Sequence, residues 1–479
     1  MSSILRIAQP RAVLDDPHAC TDSNDVLNVF GALFDALVRR GSDGYEPALA
    51  TSWTISDDAR CYTFKLRAGV HFHNGDVCDA EAVRFCLERM ARPDMGATLG
   101  APGVYSQYLT GMQVEVHSPL ELSLKLAAPV ADVFDILAYG HIISPRALAT
   151  AGDNLAARAV GTGPYSLENY SAGQEITVRA NPAHFDGPPR HASISWVKGA
   201  TAADRLALLK SDAVNIANAL EPDAAELEGC TRVNYLAPTA IICMFNAQSG
   251  PGADPRVRLA LNLALNREAL IANVLYGAGQ PLHGFISPLH FGADTVAPPF
   301  TQNMDEARRL LADAGYGAGV TFQVYCPTRL PDEAQALVAE LAAQFAPLGV
   351  QFKVHLEGDR THYANQVRLK NIHDICVFDS SPMSAFRVLY EKIDARVKGS
   401  WWEGYHNAKV ESLLDTARRT LDTAARANVY KQCYRLLQQD PPWLYLYNHS
   451  RSIVLRGAHP GWQMRRDGVL DVRSVPEMS

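Results

Sequence analysis

The sequence predicts an α/β protein of two or three domains. Its 479 residues exceed what one ordinary hydrophobic core holds. Between residues 300 and 380, segments of helical spacing alternate with short β-branched and aromatic runs, the pattern of strand–helix units. The first 200 residues instead carry paired strand-like runs separated by turn signals.

Taken in order, Ile4 to Ala8 reads as a strand. In NDVLNVFGALFDALVRR, Val26, Val29, Phe30, Leu33, Phe34 and Leu37 fall at helical spacing and predict one amphipathic helix. Tyr62, Phe64 and Leu66 alternate with Thr63 and Lys65, a strand that leads to an Asn74-Gly75 turn. Asp79 is placed to cap a helix over DAEAVRFCLERMA. GMQVEVHSPLELSLKLAAP reads as two strands around His117-Ser-Pro.

At Gly161-Thr-Gly-Pro, both glycines are free to take positive φ, and Pro164 turns residue 163 away from helix. Ser166–Tyr170 and Gln174–Arg179 then alternate as a hairpin. A phosphate loop needs its glycines to open a helix and end in Lys-Ser/Thr; strands follow here, so the turn reads as scaffold. SISWVKG is a strand, and TAADRLALLKSDAVNIAN a helix and then a strand. RVRLALNLALNREALIANVLYG is a long helix with a break at Asn266, where a new cap can begin. NMDEARRLLADAGY, EAQALVAELAAQF, AKVESLLDTARRT and ANVYKQCYRLLQQ supply helices. VTFQVYC, VQFKVHLE, HDICVF and WLYLYN supply strands.

The formal net charge is −7, with no long basic run, which excludes nucleic acid and anionic membrane as partners. No apolar run is long enough to cross a bilayer. The apolar stretch Ile4–Ile7 is broken by Arg6, unlike a secretory signal. A periplasmic or extracellular location is expected if a leader has been removed, and a cytoplasmic one if Met1 is the native start. The nine cysteines have odd number, irregular spacing and no Cys-x-x-Cys. They suit small buried residues rather than a disulfide framework, and free thiols in such number lean toward a reducing compartment. His71 and His73 lie two apart on a presumed strand face, but no third ligand of fixed spacing accompanies them; no metal or cofactor is expected.

The order of segments resembles the peptide/nickel class of extracytoplasmic solute-binding proteins of ABC transporters, family 5. SWTISDDARCYTFKLRAGVHFHNGDVCDAEAVRFCLERM is similar to the family's tryptophan, strand, F-x-x-G and helix signature. VGTGPYSLENYSAGQEITVRANPAHFDG is similar to its turn, hairpin and N-P-x-aromatic block. FNAQSGPGADPRVRLALNLALNREALI and MDEARRLLADAGY resemble later helices. The resemblance runs nearly end to end. It implies a type II periplasmic-binding-protein-like fold, with two lobes, a central ligand cleft and an extra inserted α+β domain. Expected divisions are lobe I at 1–45, 160–240 and 455–479, an inserted domain at 46–159, and lobe II at 241–454. Implied partners are a small-molecule or short-peptide ligand and, if the chain is exported, an ABC permease, with the protein acting as a monomer.

A polar solute needs aromatic walls and one or two charges for its ends. HDICVFDSSPMSAFRVLYEK is the first candidate stretch. In family members the aspartate at this strand end binds a peptide's α-ammonium, which assigns that role to Asp379 with Phe378 beside it. The alternative is that Asp379 caps the Asp-Ser-Ser-Pro turn. Here the chain departs from the family, because peptide binders often carry Trp and a longer Asp-Pro loop. Arg387 is a candidate for an acidic ligand, against pairing with Glu391 on a solvated helix face. GSWWEGYHN is the second candidate: Trp401, Trp402 and Tyr405 sit in a Gly-bounded loop where burying all three looks difficult, suited to stacking. Tyr105 is a candidate wall from the inserted domain, and Phe245 and Asn246 line either cleft or hinge. Two functions follow. One is capture of a peptide or other amine-bearing solute for uptake. The other is a cytosolic enzyme or carrier on the same fold that uses Asp379 or a histidine as base.

Overall fold

In a computed structural model that describes residues 4–19, 21–41, 44–95, 103–222, 227–329 and 331–478, the chain begins with the expected strand, β1 (Ile4–Gln9). The next run gives a shorter helix than its periodicity predicts. α1 (Asn24–Leu33) ends where Phe34 turns extended, at φ −131° and ψ 148°. Val38–Arg40 form β2, paired antiparallel with β3 (Tyr45–Pro47). The Gly-Thr-Gly-Pro turn lies against this helix end. A Cβ on Gly163 would lie 2.5 Å from Ala32 O and Leu33 C, and one on Gly161 would lie 2.2 Å from Leu33 O. Gly163 N also donates to Leu33 O at 3.1 Å. Neither glycine takes positive φ. The expectation of left-handed glycines is therefore corrected: close backbone approach, not φ, demands glycine here.

A four-stranded antiparallel sheet follows in the order β4 (Ala50–Ile55), β5 (Cys61–Leu66), β7 (Glu121–Lys125), β6 (Gln113–Ser118). α2 (Ala80–Met90) is capped by Asp79, whose side chain accepts from Ala82 N. Four short helices complete this stretch: α3 (Ser106–Leu109), α4 (Phe134–Leu137), α5 (Pro145–Ala151) and α6 (Leu155–Arg158). His71 and His73 do not share a strand face. His71 makes an isolated bridge to Val77, and the two rings bond to different carbonyls, Gly69 O and Gly163 O, each at 3.0 Å.

The expected hairpin is β8 (Tyr165–Ser171) and β9 (Glu175–Ala180). After β10 (Ser193–Lys198), α7 (Ala202–Lys210) and β11 (Ile216–Leu220), the long β12 (Cys230–Phe245) begins. The chain divides into two units within that strand: unit 1 is 1–235 with 451–479, and unit 2 is 236–450. Unit 1 builds its large sheet in the order β8-β9-β10-β1-β11, with β1 parallel to both β10 and β11.

In unit 2 the predicted break gives α8 (Pro255–Ala264) and α9 (Arg267–Leu275), with Asn266 accepting from Ala269 N as the second cap. Then come β13 (Gly279–Pro281), α10 (Met304–Asp313), β14 (Val320–Pro327), α11 (Ala334–Phe345), β15 (Val350–Glu357), α12 (Arg360–Arg368) and β16 (Ile375–Ser380). α13 (Ala385–Lys392), α14 (Ala408–Arg419), α15 (Thr423–Gln439) and β17 (Trp443–Arg456) complete it. The unit 2 sheet runs β15-β14-β16-β12-β17, and β14 is parallel to β15 and β16. Its core joins Phe322, Val324, Ile375 and Val377 to Leu261, Leu270, Leu337 and Leu341 of the helices. α12 escaped the sequence reading because only Tyr363 and Val367 of RTHYANQVR are buried, too few to mark a helical stripe. The described cysteines are free thiols; Cys20 lies outside the described residues.

Candidate functional site

Three parallel strands of unit 2 end at one edge. The register pairs Tyr325 with Cys376 and Pro327 with Glu357, so β14 and β15 end level and β16 runs on past them to Ser380. Open α/β sheets present their ligand-binding loops at this carboxyl edge. Just beyond β15, Asp359 caps α12 by accepting from Thr361 N and His362 N, and Arg360 opens the helix. Its Nη2 lies 3.4 Å from Asp379 Oδ1 on β16. The guanidinium also sits 5.2 Å from the Phe378 ring centre and 5.4 Å from that of Tyr363, a cation–π arrangement. Arg360 Nε and Nη1 are buried without a hydrogen-bond partner. Lys392 Nζ donates to Asp379 O at 3.1 Å and lies 5.9 Å from the Phe378 ring. Asp379 is half-buried. Among the described residues its carboxylate meets Arg360 and makes no bond to Ser380-Ser381-Pro382, so the turn-capping alternative is not what the geometry shows; Ser384 caps α13 instead.

Trp401 of the Gly-bounded loop meets Phe378 at 5.0 Å between ring centres. The expected difficulty of burying this loop's aromatics is corrected at Tyr405, which is 3% exposed. Its hydroxyl donates to Asp440 O at 2.9 Å, and Arg258 lies 5.5 Å from its ring, so Tyr405 anchors the loop. Trp401 and Trp402 are half-buried; Trp402 Nε1 donates to Tyr405 O at 2.6 Å. Lys370 Nζ donates to Ser400 O at 2.7 Å and stands 3.6 Å from Glu403 Oε1. Burial pushes the Glu403 carboxyl up to about 8, outweighing the Lys370 charge. Burial likewise lowers the Lys370 ammonium, against the pull of Glu403.

Arg387 does pair with Glu391, at 2.9 Å, but the two are buried, not solvated. Phe245 belongs to the unit 2 core. Asn246 is half-buried, and its Nδ2 donates to His373 O at 3.0 Å. Tyr105, in unit 1, is buried, and its hydroxyl donates to Tyr139 O at 3.2 Å. The geometry therefore gathers Asp379, Phe378 and Trp401, and adds Arg360 and Lys392, which the sequence reading missed. It missed a further group: Glu333 accepts from His449 Nε2 at 2.7 Å and from Tyr447 OH at 2.8 Å. Burial raises the Glu333 carboxyl, but these bonds outweigh it and bring it down to about 2. A charged residue shortly after a predicted strand end was the available signal for both Glu333 and Arg360. Among the described residues, no three His, Cys, Asp or Glu side chains are grouped to hold a metal ion.

The chain is similar to known proteins along nearly its whole length. A glutathione-binding protein, GsiB of Salmonella paratyphi A, is 27% identical over 459 residues, covering 90% of this chain and 86% of that protein. The Helicobacter pylori periplasmic binding protein DppA, solved with the peptide STSA, superposes with a TM-score of 0.82 at 21% identity, covering 98% and 97% of the two chains. AgaA of A. tumefaciens R10, solved with agropinic acid, gives 0.80 at 24% identity and the same coverage. Both solved structures share the type II binding-protein fold. The family described as bacterial extracellular solute-binding proteins, family 5 Middle, matches residues 44–386, and the chain belongs to that family of solute-binding proteins.

Proposed function

We propose that the chain captures a short peptide or another small solute bearing both an amine and an acidic group, and hands it to an ABC permease. The observation that carries this reading is the Asp379–Arg360 pair. A half-buried carboxylate and a guanidinium with two unpartnered donors stand 3.4 Å apart beside Phe378 and Trp401. The carboxylate takes the solute's ammonium and the guanidinium its acidic group, both through charge-assisted bonds. Arg360 replaces Arg387 as the acid-binding residue, because Arg387 is buried against Glu391. Trp401, Trp402 and Asn246 border the solute, while Tyr405, Phe245 and Tyr105 hold the framework. On the same reading the protein works outside the cytoplasm as a monomer. Family membership supports binding and lends nothing to the enzyme alternative.

Mass spectrometry of solute released from purified protein identifies the ligand. Titration of that solute into Asp379→Ala and Arg360→Ala is expected to show at least about tenfold weaker binding in each. Unchanged affinity in Asp379→Ala sinks the ammonium assignment.

A further inference from the structure

Unit 1 contains a cavity of about 950 Å³ that the solute site does not use. That volume suits a small-molecule ligand. Residues 39–41, 46, 164–165, 184, 186–190, 463–467, 471 and 473–474 supply its walls, which carry six arginines against four carboxylates. The cavity is thus locally positive within a chain of net charge −7.

Four of the arginines are tied to acids. Arg39 pairs with Asp186, Arg40 with Asp135, Arg465 with Asp467, and Arg473 with Asp471. Arg473 holds Asp471 through two bonds, at 2.9 and 3.0 Å. These pairs fix the cationic groups in place, so little side-chain freedom remains to be lost on binding. Arg190 and Arg466 are exposed and have no acidic partner among the described residues. The wall between them is firm: Pro188 and Pro189 restrict the backbone, and buried His184 bonds Asp35 at 3.3 Å.

We propose that this cavity is a second binding site, for a small solute carrying at least two negative charges on phosphate or carboxylate groups, anchored by Arg190 and Arg466. An open cavity whose walls carry more cations than carboxylates attracts such anions, and guanidinium forks match oxyanion geometry. The site is independent of the one at Asp379.

The test is calorimetric titration of the full chain, at low salt, with inorganic phosphate and separately with citrate. Saturable binding of at least one anion is expected, weakened about tenfold or more in the double variant Arg190→Ala/Arg466→Ala. Arg190→Lys/Arg466→Lys should recover part of the loss. Phosphate alone binding identifies a phosphoryl ligand, and citrate alone a polycarboxylate. The proposal is overturned if neither anion saturates or if the double alanine variant binds equally.

Discussion

The turn at Gly161–Pro164 and the loop at Gly399–Tyr405 are both bounded by glycines with no room for a Cβ. On Gly163 that atom would lie 2.5 Å from the backbone of Ala32 and Leu33, and on Gly399 it would lie 2.2 Å from Glu391 O. Their surroundings differ. Around the first turn the carboxylate is closely paired: Thr162 Oγ1 donates to Asp35 at 3.0 Å, and His184 Nε2 lies 3.3 Å from the same oxygen, while His73, bonded to Gly163 O, leaves its buried Nδ1 without a partner. Burial raises the Asp35 carboxyl, but the bond from His184 and its neighbours more than offset this and hold it below the usual range. Around the second loop a carboxylate sits buried 3.6 Å from Lys370, and its Oε1 has no hydrogen-bond partner. A Gly-bounded aromatic or proline turn is therefore one sequence signature with two uses. The first turn surrounds a closely bonded carboxylate; the second surrounds a loosely matched carboxyl and ammonium, the kind of environment that accompanies functional sites.

That contrast breaks first at Gly163. Gly163→Ala drives a methyl into backbone atoms that have no rotamer to move, and a loss of about 3 kcal/mol or more is expected. Thermal unfolding should show it, with solute affinity per folded molecule unchanged. A fall in affinity at unchanged stability would make the turn part of the site.

The second loop is sharpened by pH. The Glu403 carboxyl titrates near 8 in the folded chain and near its ordinary value when unfolded, so the folded state binds the extra proton between those values. Stability from this group is fully present below about 4.5 and declines as pH rises to about 8. Glu403→Gln should flatten that decline, leaving the variant ahead of the parent at pH 9 by on the order of 2 kcal/mol. Parallel pH–stability curves for the two proteins would show that Glu403 is ionised throughout. The smallest effect is expected at Trp401→Ala, which should weaken solute binding by about 1 kcal/mol through lost contact with Phe378. Its melting temperature should move little, because the ring is half-exposed; a large fall would class Trp401 with Tyr405 as an anchor.

How much was legible in the sequence follows from how far each cause lies along the chain. The Asp79 cap, the break at Asn266 and the hairpin at 165–180 are decided by residues within a turn or two of themselves, and all were readable. Asp379 and Phe378 were readable as a strand end. Arg360 was not, because its helix lacks an apolar stripe and its partner is 19 residues away. The early end of α1 was hidden because the glycines that meet it are 130 residues downstream. The burial of Tyr405 depends on Arg258 and Asp440, which no local pattern joins to it.

The division of β12 and β17 between the units has a consequence for how the protein is made. Unit 2 is one continuous segment, whereas unit 1 needs both ends of the chain. Ile453, Val454, Leu455, Leu470, Val472 and Val475 are all buried within it, and β17 supplies the neighbour of β11. During synthesis, which proceeds from the N-terminus, the first-translated unit therefore remains short of a strand until the last thirty or so residues emerge, and the unit begun second is finished first.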